Sequence, residues 1–186
     1  MKLLYFDDYK LGVLKGDRVV DVSSVVRDIP HTGPGDLING LIARFDQYRA
    51  KLNDAAASGQ GVVLSSVRVR PPLPKPDNID CMAVNYMEDG TRSAPAPINA
   101  FQKTANAICG PGDTMVLPDA PATIFEGEAE LAIVIGKRAS NVKAAAGDRH
   151  HLPRGAADLR SRLASGAAPA IHHQPRRRRA DHRERW

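Results

Sequence analysis

Three glutamates at alternate positions are the residues of this chain whose type and spacing most directly suggest chemistry. Glu126, Glu128 and Glu130 occur in a run of otherwise small and apolar residues that extends to Gly136. In a β-strand the side chains alternate with a period of two, so the three carboxylates would share one face and the large apolar side chains after Glu130 would share the other. We predict that residues 128–136 form the clearest strand of the chain.

Carboxylates repeated on one face repel each other and resist burial unless a cation compensates their charge. Oxygen ligands of this hard type suit Mg²⁺, or alternatively Ca²⁺ or Mn²⁺, better than they suit zinc. The same spacing also occurs on the solvated face of an edge strand. The glutamates therefore indicate either a divalent-metal site or a solvent-exposed strand, and their spacing alone does not decide between the two.

Two sets of elements must position these residues. Residues 3–6, 11–14 and 18–22 read as a small antiparallel meander, and Asp36 is expected to cap one helix that ends near Ser58 with Gly59 as a left-handed cap. Residues 62–69 are β-rich, and four prolines at 71–76 form an extended connector. Beyond the connector we predict strands at residues 80–84 and 107–109, and a turn at 110–113 that leads into 114–117.

The motifs after the connector occur in the order found in the fumarylacetoacetate hydrolase family, and the chain resembles that family over roughly residues 1–143. Its N-terminal meander is also typical of family members. The motifs are Asn85-Tyr86, Phe101-Gln102-Lys103, Gly110-Pro111-Gly112-Asp113, Glu128-Ala129-Glu130-Leu131 and Val134-Ile135-Gly136.

The resemblance implies a divalent-metal enzyme that acts on a 2-keto or diketo acid by hydrolysis, hydration or decarboxylation, with a metal-stabilised enolate. Leu131 and the later Ile-Gly pair select Glu128 and Glu130 as the metal ligands, which leaves Glu126 as a neighbour. Lys103 matches a position near the active site, where its ammonium could pair with a substrate carboxylate or oxyanion. A solvent-exposed lysine is the alternative.

Asn85 and Tyr86 match the motif that borders the substrate pocket in the family, either by contacting substrate or by supporting the site. Many hydrolytic members place a histidine three residues after the tyrosine and then a glutamate, which activate water. This chain has Asp89 and Arg92 at those positions, so the resemblance does not favour hydrolysis over the other reactions. A homodimer with a small-molecule keto-acid substrate is expected for the intact family fold.

Composition excludes several other classes of protein. Cys81 and Cys109 are too few and too far apart for a disulfide framework or a zinc knuckle, and we expect both to be reduced and buried. The N-terminus lacks the apolar run of a signal peptide, and no apolar stretch is long enough to cross a bilayer. We therefore expect a cytoplasmic protein without a membrane partner.

The basic charge of the chain is confined to its end. Residues 1–143 contain 16 of the 26 basic and 17 of the 21 acidic residues, whereas residues 144–186 contain ten arginines, no lysine and five of the six histidines. With Ile171 as its only β-branched residue and Trp186 as its only aromatic, this tail is expected to be disordered and unable to build a sheet.

Two interpretations of the tail remain open. We favour a frameshift or sequence error after about residue 145, because this composition is typical of a GC-rich coding sequence read out of frame. The alternative is a basic arm, in which the four arginines at residues 176–179 bind nucleic-acid phosphates on a non-catalytic fragment or scaffold. We regard nucleic-acid binding as the weaker of the two.

The sequence thus predicts a β-rich α+β chain. It has a small N-terminal α+β domain at residues 1–70, a Pro-rich connector at 71–76, an incomplete fumarylacetoacetase-type mixed β-roll at 77–143, and the tail at 144–186. Because a third acidic metal ligand and the closing strands of the roll are missing, we expect the 186-residue product to be inactive and poorly folded beyond the connector.

Overall fold

The computed structural model describes residues 1–83, 93–94, 97, 99–117, 119, 125–128, 130, 132–136, 138, 140–141 and 170–173. For residues 125–128 and 170–173 it describes the backbone alone. The described residues form an N-terminal unit of one sheet and two helices, followed by two separate strand pairs.

The N-terminal sheet has five antiparallel strands in the order β4-β3-β2-β1-β5. The predicted meander is confirmed, because β1 to β3 are joined by tight turns and Gly16 takes the positive φ of 62° that the second turn requires. The β-rich run before the connector becomes two short edge strands. The strands are β1 (Lys2–Phe6), β2 (Lys10–Lys15), β3 (Arg18–Asp21), β4 (Val62–Val63) and β5 (Val69–Arg70).

The single helix predicted between the meander and the connector is wrong, because the structure has two helices. Helix α1 spans Pro34–Ala43 and helix α2 spans Phe45–Ser58. Arg44, between them, has φ −121° and ψ 22°, which interrupts the helical backbone. The apolar period continues across the break, and for this reason the sequence alone suggests one continuous helix.

Both predicted helix caps are also wrong. Helix α1 begins at Pro34, whose fixed φ suits the first helical position, and Gly33 is the N-cap. Asp36 instead lies in the first turn, where its carboxylate accepts hydrogen bonds from the amide and hydroxyl of Thr32. Gly59 ends α2 with an extended backbone, φ −78° and ψ 141°, and not with a left-handed one.

The core lies between the sheet and the two helices, and it contains the apolar side chains that the strand and helix periods point inward. Tyr5 is 1% exposed and donates a 2.8 Å hydrogen bond from its hydroxyl to the Pro34 carbonyl. Burial raises the pKa of Tyr5 well above its usual range, so the hydroxyl remains a donor. Fully buried members of the core include Leu11, Val22, Val26, Ile29, Leu41 and Leu52.

Beyond the connector, strand β6 (Ile79–Ala83) pairs antiparallel with β7 (Asn99–Lys103). The strand predicted at residues 80–84 is therefore largely confirmed. The one predicted at 107–109 is wrong, because a 3₁₀ turn spans Ala105–Ala107 and residues 108 and 109 are described without strand structure. Strand β7 was not predicted, since its Asn, Ala, Gln and Lys side chains have little intrinsic strand preference and pairing with β6 determines it.

The strand predicted at residues 128–136 is wrong in its extent. Strand β8 spans Phe125–Glu128, whereas residues 130 and 132–136 are described without strand structure, as are residues 114–117. Strand β8 pairs antiparallel with β9 (Ala170–His173), with Phe125 opposite His173 and Glu128 opposite Ala170.

Strand β9 lies in the tail, which was expected to form no sheet, and that expectation is wrong for Ala170–His173. The rest of the tail, including the arginines at 176–179, lies outside the described residues. So do residues 129, 131 and 137 of the segment around the glutamates.

Candidate metal and substrate site

Lys103 is the candidate site residue whose surroundings the structure describes best. It is the last residue of β7 and pairs with Ile79 on β6. Two residues away along the same strands, Phe101 pairs with Cys81. The strand period places these four side chains on one face. Cys81 is buried, Lys103 is half-buried, and its Nζ lies 5.6 Å from the centroid of the Phe101 ring.

Lys103 is therefore not the fully solvent-exposed lysine of the alternative interpretation. Lys103 lies on the more covered face of the strand pair with its ammonium over the Phe101 ring, an arrangement typical of a cation–π contact at the margin of a packed surface. The opposite face of the strand pair is exposed. There Gln102 Nε2 donates a 2.9 Å hydrogen bond to Asp80 Oδ1, and Met82 is 42% exposed.

The candidate metal ligands lie on and just after β8. Glu126 and Glu128 alternate on the strand backbone, opposite His172 and Ala170 respectively, and therefore share one face. Glu130 follows two residues later, half-buried and without strand structure. The assignment of Glu128 and Glu130 as ligands stays a prediction, because the structure does not describe the Glu128 side chain.

Two carboxylates at positions i and i+2 are a donor set that fits a hard divalent cation, although such ions need further oxygen ligands or water. Within the side chains that the structure describes, no group of three or more His, Cys, Asp or Glu residues is arranged to hold a metal ion. Asn85 and Tyr86, together with Asp89 and Arg92, lie outside the described residues. Their predicted places beside the substrate are therefore neither confirmed nor contradicted.

The predicted turn at residues 110–113 is confirmed, and it makes a contact that the sequence did not reveal. The Asp113 amide donates to the Gly110 carbonyl over 3.1 Å, and Gly112 takes a φ of 77°. Asp113 also forms an ion pair with Arg68 of the N-terminal unit, with 2.6 Å between Nη2 and Oδ1. No local signal could identify Arg68, because 45 residues separate the partners.

The electrostatics of this turn follow from its hydrogen bonds. The Arg68 guanidinium, followed by the hydrogen bond from the Gly110 amide, lowers the pKa of the Asp113 carboxyl below its usual value. The carboxylate is thus held in its charged form. Cys81 and Cys109 are not joined in a disulfide. The predicted burial is confirmed for Cys81 and is wrong for Cys109, which is half-buried.

Within the described part of the chain, none of the helices is both long enough and apolar enough to traverse a bilayer.

Comparison with known proteins identifies the segment that contains the candidate site residues. Residues 78–150 match the family described as fumarylacetoacetate (FAA) hydrolase C-terminal. Maleylpyruvate hydrolase of Aquipseudomonas alcaligenes is 28% identical over 158 residues, which is 76% of this chain and 55% of that protein. The mitochondrial oxaloacetate tautomerase of Bos taurus is 36% identical over 136 residues, which is 69% of this chain and 40% of the relative.

A similar fold is found in the crystal structure of maleylpyruvate hydrolase from Sphingobium sp. SYK-6 in complex with manganese(II) and pyruvate. The TM-score is 0.70 at 30% sequence identity, and the match covers 82% of this chain and 55% of that one. The chain thus spans about half the length of the proteins it matches. The ordered motifs, the matched segment and the similar fold together show that residues 78–150 belong to the fumarylacetoacetate hydrolase family.

Proposed function

We propose that this chain contributes the N-terminal unit and the first part of the catalytic domain of a metal-dependent enzyme that acts on a 2-keto or diketo acid. The observation that carries the proposal is the family match over residues 78–150, which contains every candidate site residue. The similar hydrolase with bound manganese(II) and pyruvate supports it, since pyruvate is itself a 2-keto acid.

In this proposal Glu128 and Glu130 hold the divalent cation, Mg²⁺ or alternatively Ca²⁺ or Mn²⁺. When bound, such a cation supplies Lewis-acid stabilisation of the negative charge that develops on a keto oxygen. Lys103 provides a cationic partner for the substrate carboxylate or for an oxyanion. Its half-buried position supports this role, because a partly desolvated ammonium attracts an anion more strongly than an exposed one does.

Asn85 and Tyr86 border the substrate in this proposal and fix its orientation. The reaction itself is C–C bond hydrolysis, hydration or decarboxylation. Asp89 and Arg92 occupy the positions where hydrolytic members place the pair that activates water, so this chain gives no preference to hydrolysis. The matched relatives include both a maleylpyruvate hydrolase and an oxaloacetate tautomerase, so their names do not favour one reaction for this chain either.

We extend the proposal to the state in which the site works. Turnover requires the part of the fold that this chain does not span, in a homodimer, and the 186-residue chain by itself is inactive. This follows from the donor set, because two carboxylates alone leave a hard cation largely hydrated and weakly bound. A site open to water also loses much of its electrostatic stabilisation of the developing charge.

The experiment that tests the proposal uses a chimera. Residues 1–136 are joined to the part of the Sphingobium maleylpyruvate hydrolase that follows the position aligned with residue 136. The product is assayed for acylpyruvate cleavage, oxaloacetate decarboxylation and oxaloacetate tautomerisation with Mg²⁺ or Mn²⁺. We expect metal-dependent turnover of at least one substrate by the chimera and none by the 186-residue chain. A folded chimera that is inactive on all of them would contradict the proposal.

Within the chimera, Lys103→Met keeps the packing against Phe101 and removes the charge. We expect kcat/KM to fall about 100-fold, because an oriented charge on the substrate is lost. Lys103→Arg is the matched variant that keeps the charge, and it should retain more activity than the methionine variant. Equal activity of the two variants would show that the Lys103 charge has no part in the reaction.

A further inference from the structure

The Asp113 carboxylate makes two contacts at once. One oxygen, Oδ2, accepts a 2.8 Å hydrogen bond from the Gly110 amide and closes the turn in which both residues lie. The other, Oδ1, pairs with Arg68 at 2.6 Å. The Asp113 side chain is 21% exposed and that of Arg68 is 60% exposed. The turn and the ion pair are therefore coupled through one largely covered carboxylate.

The same turn lies directly against the start of the connector. Gly110 is buried, and a Cβ atom at its position would come within 2.9 Å of Pro71 Cδ and 3.1 Å of the Pro71 nitrogen. Only glycine allows the two backbones to approach this closely. Gly112, by contrast, has open space around it and is required only for its positive φ of 77°. Gly110 thus provides a contact, and Gly112 provides the bend.

Arg68 is itself fixed within the N-terminal unit. Its amide donates to Asp7 Oδ1 over 3.0 Å, and its carbonyl accepts from the Asp7 amide over 2.8 Å. Arg70 Nε donates to the Asp7 carbonyl over 2.6 Å, and its guanidinium lies 5.4 Å from the Tyr9 ring centroid. The first turn of the meander thereby holds the residue that reaches Asp113.

We propose that Arg68, Gly110 and Asp113 form a clip that docks the family segment onto the N-terminal unit and thereby positions the end of β7, where Lys103 lies. Lys103 precedes Gly110 by seven residues, and the intervening backbone is braced by the 3₁₀ turn at Ala105–Ala107. The clip is a feature of the fold alone. Its importance for Lys103 rests on the function proposed above.

An exposed ion pair contributes little to global stability. The effect of the clip is therefore measured locally, at the amides of the turn. Hydrogen exchange of the backbone amides between residues 108 and 113, other than that of Pro111, is followed in the full 186-residue chain and in its variants. Asp113→Asn keeps an acceptor for the Gly110 amide and removes the charge. Arg68→Met removes the cation, and Arg68→Lys restores it. Asp77→Asn and Arg27→Met make the same changes at exposed positions and serve as controls.

We expect Asp113→Asn and Arg68→Met each to speed exchange at the turn about fivefold, consistent with the loss of one partly exposed pair. The double variant should exchange no faster than either single variant, because both changes break the same contact. Arg68→Lys should recover most of the protection. Gly110→Ala should speed exchange at the turn and also at residues 68–71, whereas Gly112→Ala should affect the turn alone.

Additive effects of the two single substitutions, or a turn whose exchange is unchanged when Arg68 is replaced, would overturn the clip. These measurements require neither metal nor substrate. A chimera without turnover would therefore refute the proposed function and leave the clip standing, while unchanged exchange in the Arg68 variants would refute the clip and leave the function standing.

Discussion

Asp113 lies where the family segment contacts the N-terminal unit, and the lowered pKa of its carboxyl can be tested. The pKa of Asp113 is lowered first by the hydrogen bond from Arg68 and then by that from the Gly110 amide. Since the folded pKa lies below the ordinary value of 3.8, the contribution of this carboxylate to stability is complete above that value. It is lost as the pH falls through the folded pKa.

The Gly110 amide proton reports this titration directly, because it donates to Asp113. An NMR titration of its chemical shift should give a midpoint below 3.8, the ordinary aspartate value. Arg68→Met should move the midpoint up towards that value, because the largest cause of the lowered pKa is removed. Asp113→Asn should abolish the transition. A midpoint that is the same in the Arg68→Met variant would contradict the assignment of Arg68 as the main cause of the lowered pKa.

The sequence reveals a residue's role only where that role depends on neighbouring positions in the chain. The Gly-Pro-Gly-Asp turn was predicted because Gly, Pro and Asp have backbone preferences that act within four residues. Arg68 was not, because its partner lies 45 residues further along the chain. Lys103 was identified through its family position, whereas its contact with Phe101 follows from a strand that was not predicted.

At the scale of elements, the two helices stabilise the N-terminal unit by packing on the meander. Leu52 of α2 is fully buried in this core, whereas Leu64, in the short turn between β4 and β5, is half-buried. Lys15 Nζ donates to the Ala57 carbonyl over 3.2 Å at the end of α2, which ties the helix to β2. Burial, and not helix propensity alone, therefore determines where a substitution is costly.

We expect Leu52→Ala to destabilise the N-terminal unit by about 2–5 kcal/mol, because it removes buried methyl groups and leaves a cavity. Leu64→Ala is the matched control and should cost well below that range. Urea unfolding followed by the helical circular dichroism signal measures both variants. Equal losses from the two substitutions would show that α2 does not pack into the core as described.

The elements that the sequence predicted are those whose signals are periodic and local. The meander of β1 to β3 is one example, since alternation and a glycine turn determine it. The pairing of β7 with β6 is a tertiary interaction that no local pattern encodes, and the break at Arg44 interrupts an apolar period that continues across it. The helix start was misplaced because Asp36 resembles an N-cap residue, although Pro34 already fits the first helical position.

At the scale of the whole molecule, apolar side chains are exposed beyond the connector. Val116 is 87% exposed, Ile133 is 53% exposed and Ile135 is 59% exposed. Exposed large apolar side chains in neighbouring positions favour association. Ile133 and Ile135 lie in the segment at 132–136, which is described without strand structure, whereas Leu131 lies outside the described residues.

We expect the 186-residue chain to self-associate and the double substitution Ile133→Lys with Ile135→Lys to reduce that association markedly. The physical reason is that two exposed apolar side chains are replaced by charged ones. Ser93→Lys with Ser140→Lys adds the same charge at exposed polar positions and controls for repulsion alone. Sedimentation velocity distinguishes the outcomes, and equal reduction by both pairs would show that net charge, not these isoleucines, governs association.

The sequence predicts the metal ligands more specifically than any other feature of the molecule. The described side chains, however, provide little evidence about these ligands. A manganese titration of the chimera, followed by electron paramagnetic resonance of the free ion, compares Glu128→Ala and Glu130→Ala with Glu126→Ala. We expect either ligand substitution to weaken Mn²⁺ binding by about 100-fold or more, since loss of a ligand should exceed the 10–100-fold effect of losing an outer-shell partner. Glu126→Ala should bind Mn²⁺ nearly as tightly as the unsubstituted chimera. Unchanged binding after loss of Glu128 and of Glu130, or loss of binding from Glu126→Ala alone, would contradict the assignment of this chain's metal site.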